Sequence, residues 1–163
     1  NKAGGMVPRQ NYADYTDDLY DEVMNLNARS VVVATRAALP WLLKSRGFVI
    51  NTTSIAARNG AGNGAGLYGS SKAVVSNVTR GMAKEWIRQG VRVNAVAPGV
   101  IETPFHERYT NEAQMSAMIA TIPAGRVGTA DECVGAYLFL ASNALSSYIT
   151  GQVIEVNGGQ LML

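Results

Sequence analysis

Apolar residues recur at helical spacing early in the chain: Leu19, Val23, Leu26 and Val33 form one stripe and predict a helix. Thr16 precedes it with a hydroxyl suited to capping, and Asp17 and Asp18 lie where the helix dipole favours negative charge. Pro40 is expected to bend or restart that helix. The pattern then changes period. Residues 47–54 are a short apolar, β-rich run ending in hydroxyls, which predicts a strand with Ser54 at its C-terminal end. A second helix carries Val74, Val78, Met82 and Trp86 at four-residue steps, leaving its other face free to present Tyr68 and Lys72 to a cleft. Residues 91–97 predict another strand, stopped by Pro98 and Gly99, and residues 105–118 read as one amphipathic helix. Strand, loop, long helix and strand make a right-handed βαβ unit, so the expected fold is α/β with a doubly wound parallel sheet. Ligands of such sheets bind at the carboxyl ends of the strands, where Ser54 falls.

Composition narrows the class. Of 163 residues 47% are hydrophobic and 16% charged, enough apolar material for a core, with no run near the eighteen or so residues that cross a bilayer. A net charge of +2, carried by scattered basic residues, argues against nucleic acid or an anionic membrane as partner. Cys133 is the only cysteine, so no internal disulfide forms and no cysteine–histidine cluster suggests a metal; a reducing cytoplasm is the expected location. Without repeats, linkers or low-complexity tracts, residues 1–163 read as a single domain or part of one.

The chemistry-bearing stretch is Tyr68-Gly69-Ser70-Ser71-Lys72. Four residues apart on a helix, a phenol and an ammonium are neighbours, and the cation is expected to draw the phenol down from its ordinary pKa of about 10. Such a tyrosine can give and take a proton in turnover. Taken singly, each candidate also has a plain structural reading. Ser54 can satisfy a turn, Asn25 can be an exposed helix residue, and His106, the lone histidine, can be a packing residue after a proline turn.

Taken together, these motifs resemble the short-chain dehydrogenase/reductase family from end to end. Asn1-Lys2-Ala3-Gly4 is similar to its Asn-Asn-Ala-Gly motif, and Asn25 in Val23-Met24-Asn25-Leu26 falls on its catalytic asparagine. Ser54, Tyr68 and Lys72 fall on the rest of its tetrad. Residues 94–104 resemble the segment that holds the nicotinamide carboxamide and a phosphate, and Asn157-Gly158-Gly159 resembles the family's ending. Arg126 and Glu132 fit a stretch with a structural role. Two departures stand out. Tyr68 follows Ser54 by fourteen residues where the family usually has thirteen, and the Thr-Gly-x-x-x-Gly-x-Gly turn that receives the pyrophosphate is missing. The glycine-rich residues 60–66 alternate their glycines and read as a loop at the substrate mouth.

The resemblance implies a Rossmann-like sheet, apparently lacking its N-terminal β-α-β nucleotide-binding portion, and an NAD- or NADP-dependent oxidoreductase. Asn25, Ser54, Tyr68 and Lys72 are its implied catalytic residues. Asn1, Ala3, Gly4, Tyr68, Lys72, Pro98, Gly99, Ile101 and Thr103 are implied to bind the cofactor. The substrate would be a secondary alcohol or ketone of the 3-oxoacyl thioester or sugar and polyol class, covered by residues 105–118. The first two long helices resemble those of the family's dimer interface, implying a homo-oligomer, dimer or tetramer. The alternative is a catalytically silent fragment acting only as a folded self-associating module.

Overall fold

The computed structural model describes residues 1, 4–62 and 64–162. Thr16 caps helix α1 (Asp17–Met24), its hydroxyl accepting from the Leu19 amide at 3.2 Å. Helix α2 (Ser30–Ser45) continues the same rod after a π-helical turn over Asn25–Arg29. That turn rotates the buried face away from the expected stripe. Val23 is buried, but Leu26 and Val33 are exposed, and Asn27, Ala28, Val31 and Thr35 face inward instead. A π turn inserts one residue into the helical repeat, so every position after it shifts by roughly 100° against a regular 3.6-residue count. Pro40 lies inside α2 and does not end it.

Strand β1 (Phe48–Thr52) leads through the short helix α3 (Ala56–Asn59) into the long helix α4 (Gly66–Trp86) and then strand β2 (Arg92–Pro98). Helices α5 (Pro104–Tyr109) and α6 (Glu112–Ile119) follow, then α7 (Ala130–Ala141), α8 (Asn143–Ser146) and strand β3 (Val153–Val156). The single helix expected over residues 105–118 is two. Asn111 stops the first and caps the second through a reciprocal bond pair with Gln114.

The strands form a parallel sheet in the order β1-β2-β3, with Ile50 beside Asn94 and Val96 beside Ile154. Asn1 lies along the outer edge of β1, donating to the Ile50 carbonyl at 2.8 Å and accepting from the Thr52 amide at 2.9 Å. Central β2 is buried along nearly its whole length, as a strand covered on both faces must be. Val49, Val91 and Val93 pack against Met82 and Ala83 of α4, with Leu42, Leu43, Val78 and Trp86 around them. The expected α4 stripe is thus partly right: Met82 is buried, whereas Val74 is exposed and Val75 and Thr79 take the inward positions.

Polar groups inside this core are paired. The Asn1 side chain donates to Thr35 and to Asn51, and Asn51 donates to Thr79 on α4. Arg92, nearly fully buried, donates to the Leu140 carbonyl at the end of α7 and to Asn143. Such bonds satisfy groups that would otherwise cost about 1–3 kcal/mol each.

Two glycines of α4 differ in their surroundings. A Cβ on Gly69 would lie 2.8 Å from the Ala56 carbonyl oxygen, while one on Gly81 would meet nothing within 4 Å. Gly81→Ala is therefore expected to raise stability by roughly 0.5–1 kcal/mol through helix propensity. Gly69→Ala is expected to lower it, since forcing α3 off α4 costs about 1–3 kcal/mol. Urea midpoints of the two variants check both signs.

Candidate active site

The carboxyl ends of β1 and β2 set the site. Thr53 just beyond β1 donates to the Lys72 carbonyl at 2.8 Å and shares a 2.7 Å hydroxyl bond with Ser76, tying the strand end to α4 one turn beyond Tyr68. Lys72 itself is buried, and its Nζ donates to the Thr52 carbonyl at 3.1 Å. Tyr68, one turn earlier, faces the Ser54 hydroxyl, which favours its ionised form, and Lys72 Nζ lies 5.8 Å from its ring centroid. Ser54 Oγ also accepts from the Ala56 amide at 3.1 Å, which fixes it as α3 begins. Ser54, Tyr68 and Lys72 are thereby brought together as the sequence spacing predicts.

Asparagine 25 is not part of this group. It is exposed on the π turn, and its Oδ1 accepts from Arg29 at 3.4 Å. The buried asparagine beside Lys72 is Asn27. Its amide nitrogen donates to the Gly5 and Val23 carbonyls, and its Oδ1 accepts from the Gly5 amide at 3.0 Å. Gly4 separates it from Lys72 so closely that a Cβ there would lie 2.7 Å from Asn27 Oδ1 and 2.9 Å from Lys72 Nζ. The signal for Asn27 was its place four residues after the buried Val23, on the same helical face.

With this geometry the sequence comparisons agree. Residues 1–160 match the family described as Enoyl-(Acyl carrier protein) reductase. The chain is 42% identical over 141 residues to the 3-oxoacyl-[acyl-carrier-protein] reductase of Thermotoga maritima, covering 86% of this chain and 56% of that protein. It is 38% identical over 160 residues to the 2-dehydro-3-deoxy-D-gluconate 5-dehydrogenase of Escherichia coli, covering 96% and 62%. The crystal structure of the NADH-dependent reductase A1-R' responsible for alginate metabolism superposes with a TM-score of 0.90 at 42% identity, over 100% of this chain and 64% of that one. The chain belongs to the short-chain dehydrogenase/reductase family. It spans somewhat over half the length of these relatives.

The remaining family positions divide by what they touch. Gly4 borders the Lys72 ammonium, whereas the Asn1 side chain is engaged in the interior with Thr35 and Asn51. Ala3 lies outside the described residues. The Pro98 carbonyl accepts from Ile55, and the Gly99 amide donates to Val156, where a Cβ would strike the Asn157 backbone at 2.8 Å. Ile101 turns toward Gly128, and Thr103 Oγ1 donates to the Ile101 carbonyl. Arg126 and Glu132 form a bidentate ion pair at the start of α7. In the glycine-rich loop the Gly62 and Ala65 amides bond to Gly60 and Gly62 carbonyls, and the Gly64 carbonyl takes the Gln10 amide. Those bonds hold the loop together.

Residues 105–118 were expected to cover the substrate; the aromatic contacts they make beside Tyr68 were not foreseen. Phe105 of α5 packs on the Tyr68 ring at 5.6 Å and on Tyr109 at 5.2 Å, and the Tyr109 hydroxyl reaches toward Gly5. Arg9 Nε donates to the Tyr109 carbonyl at 2.8 Å, fastening α5 to the segment after Gly5.

The electrostatics differ from the expected cation-lowered phenol. Burial raises the Tyr68 pKa, and the opposing influence is Ser54. The Lys72 ammonium is itself disfavoured by burial, its pKa lowered from 10.5 to about 8. Desolvation of both groups outweighs their mutual attraction at this separation.

This has a sign that stability measurements can read. Between about pH 8 and 10.5 the unfolded chain holds the Lys72 proton and the folded chain does not, so stability rises with pH through that window. The full change is about 3 kcal/mol. Cys133 and Tyr68, whose pKa values burial raises, act in the opposite direction near and above pH 9 and 10. The difference between wild type and Lys72→Met isolates the lysine: the variant is expected to lose the rise between pH 7.5 and 9.5 in denaturant titrations.

Proposed function

We propose that this chain is the catalytic and substrate-binding part of an NAD- or NADP-dependent oxidoreductase that interconverts a secondary alcohol and a ketone. The observation that carries this reading is the Tyr68 hydroxyl set beside Ser54 at the sheet edge, with Lys72 buried one helical turn away. Tyr68 gives its proton to the forming alkoxide, or takes it in oxidation. Ser54 hydrogen-bonds the substrate oxygen and stabilises charge as it develops.

Lys72 fits a cofactor-binding role. Of the three donors of its ammonium one is used, on the Thr52 carbonyl, leaving two for the nicotinamide ribose hydroxyls. Gly4 keeps the approach clear, since a Cβ there would crowd Lys72 and Asn27. The bound nicotinamide supplies or accepts the hydride. A ribose contact would also supply what burial withholds, a reason for the lysine to hold its proton. Asn27, in place of Asn25, takes the role of the family's asparagine: its π-turn setting and closeness to Lys72 suit a relay of protons through water.

The relatives span both substrate classes considered, acyl-carrier thioesters and sugar acids, and crystal structures of A1-R' include a complex with NAD. We assign the substrate to a small ketone or alcohol of one of these classes. Exposed apolar residues on α2 and α4, among them Val32, Val33, Trp41 and Val74, support self-association as a dimer or tetramer. Among the described residues no helix is long and apolar enough to cross a membrane. A cytoplasmic location is the proposed one.

Tyr68→Phe in the native enzyme is expected to lower kcat by on the order of 10²–10⁴ while leaving dinucleotide affinity within a factor of about two. Retained turnover would remove Tyr68 from the mechanism. For the asparagines, Asn27→Ala is expected to cut turnover at least tenfold and Asn25→Ala to leave it nearly unchanged; the reverse order in steady-state assays would restore Asn25.

A further inference from the structure

Beyond Lys72, helix α4 gathers positive charge on one face. Arg80 and Lys84 stand about 12 and 18 Å along the helix axis from Lys72. Both are exposed, and both line a cavity of about 390 Å³ between α4 and residues 150–153, which lead into β3. Arg58, near the end of α3, lines it as well. A volume of this order is that of small-molecule sites, roughly 300–1,000 Å³.

The three cations are held unequally. Arg58 is oriented by Glu155, its Nε standing 2.9 Å from a carboxylate oxygen, which leaves the fork of its two terminal amino groups for a ligand. Arg80 spends one of its five donors on the Ser76 carbonyl, at 3.4 Å. Lys84 makes no hydrogen bond or ion pair among the described residues. Four residues apart on one helical face, Arg80 and Lys84 repel each other. Among the described residues no carboxylate lines the cavity, and Glu155 is already matched to Arg58. The helix end accounts for a cation at Lys84, which lies in the last turn of α4, but not for three around one cavity.

Such a surplus suits an anion of more than one charge. A carboxylate neutralises one cation, whereas a phosphate monoester carries about 1.5 to 2 negative charges at neutral pH and has several acceptor oxygens for a guanidinium fork. The rest of the lining includes Ala83, Ile87 and Val153, an apolar wall for a small organic body behind the phosphoryl group. A nucleic acid needs a longer basic track than three side chains.

We propose that Arg58, Arg80 and Lys84 form a binding site for a small phosphate monoester with an apolar body, separate from the Tyr68 site. The site depends on neither the oxidoreductase reading nor a dinucleotide.

Phenyl phosphate, benzoate and inorganic phosphate serve as probes in calorimetry on the native protein at low salt. Phenyl phosphate is expected to bind about tenfold tighter than either of the others, and to shift the amide resonances of residues 80–84 and 150–153. Lys84→Gln, which removes no bond from the fold, is expected to weaken it about tenfold with an unchanged urea midpoint. Lys84→Arg is expected to keep most of the affinity, Arg58→Gln to lower it, and Tyr68→Phe to leave it as it is. Affinity that survives both Lys84→Gln and Arg58→Gln, or resonance shifts confined to residues around Tyr68, would overturn the site. So would the absence of binding at millimolar phenyl phosphate. Benzoate binding as tightly as phenyl phosphate would overturn the choice of a dianion, and inorganic phosphate doing so would overturn the apolar body.

Discussion

Burying the Lys72 ammonium is the constraint around which the rest of the site is arranged. A charge with 4% of its surface exposed needs compensation, and the chain supplies it from several directions. The Thr52 carbonyl at the end of β1 takes one donor, and the Lys72 carbonyl is gripped by Thr53 and Ser76. Gly4 lies against the ammonium because no side chain fits there. Since Lys72 leans on β1 while Tyr68 stands one turn before it on the same helix, fixing the lysine also fixes the phenol against Ser54.

The same constraint explains why the interior near the site is polar yet satisfied. Asn1, Thr35, Asn51 and Thr79 form a chain of side-chain bonds across the edge of the sheet, and Asn27 closes on Gly5. These pairings hold α2 and α4 to the sheet at fixed angles, more directional than the valine and methionine packing beneath β1 and β2. Rigidity is built under the face that carries Tyr68 and Lys72. The roof above it is different: α5 is a short helix held by aromatic edges and one arginine bond, the kind of element that can differ between relatives and set what enters.

Desolvation also changes how the pair works. Attraction to a cation does not bring the Tyr68 phenol into range, because burial raises it and leaves Lys72 near a pKa of about 8. Lys72 stands close to a change of protonation, whereas Tyr68 holds its proton more firmly than a free phenol. For the lysine that is a poised state reached through burial; for the phenol the Ser54 hydroxyl is the local correction.

Much of this protein was legible in its sequence. Short apolar, β-rich runs gave β1 and β2, four-residue steps gave α4, Thr16 announced α1, and the spacing of Tyr68, Lys72 and Ser54 placed the three at one sheet edge, since each depends on neighbours along the chain. The π turn at Asn25–Arg29 was decided only by tertiary structure. Two asparagines two residues apart lie on nearly opposite faces of a regular helix, and packing α1 and α2 against α4 selects Asn27 as the one that turns inward. Asn111 split the helix over residues 105–118 by a local cap that the apolar period does not report. The meeting of Arg9 with α5 joins residues about a hundred positions apart, and no local pattern encodes it. Spacing along one helix set Tyr68 and Lys72 side by side; how strongly each holds its proton was set by burial, which exists only once the sheet, the helices and the roof have come together.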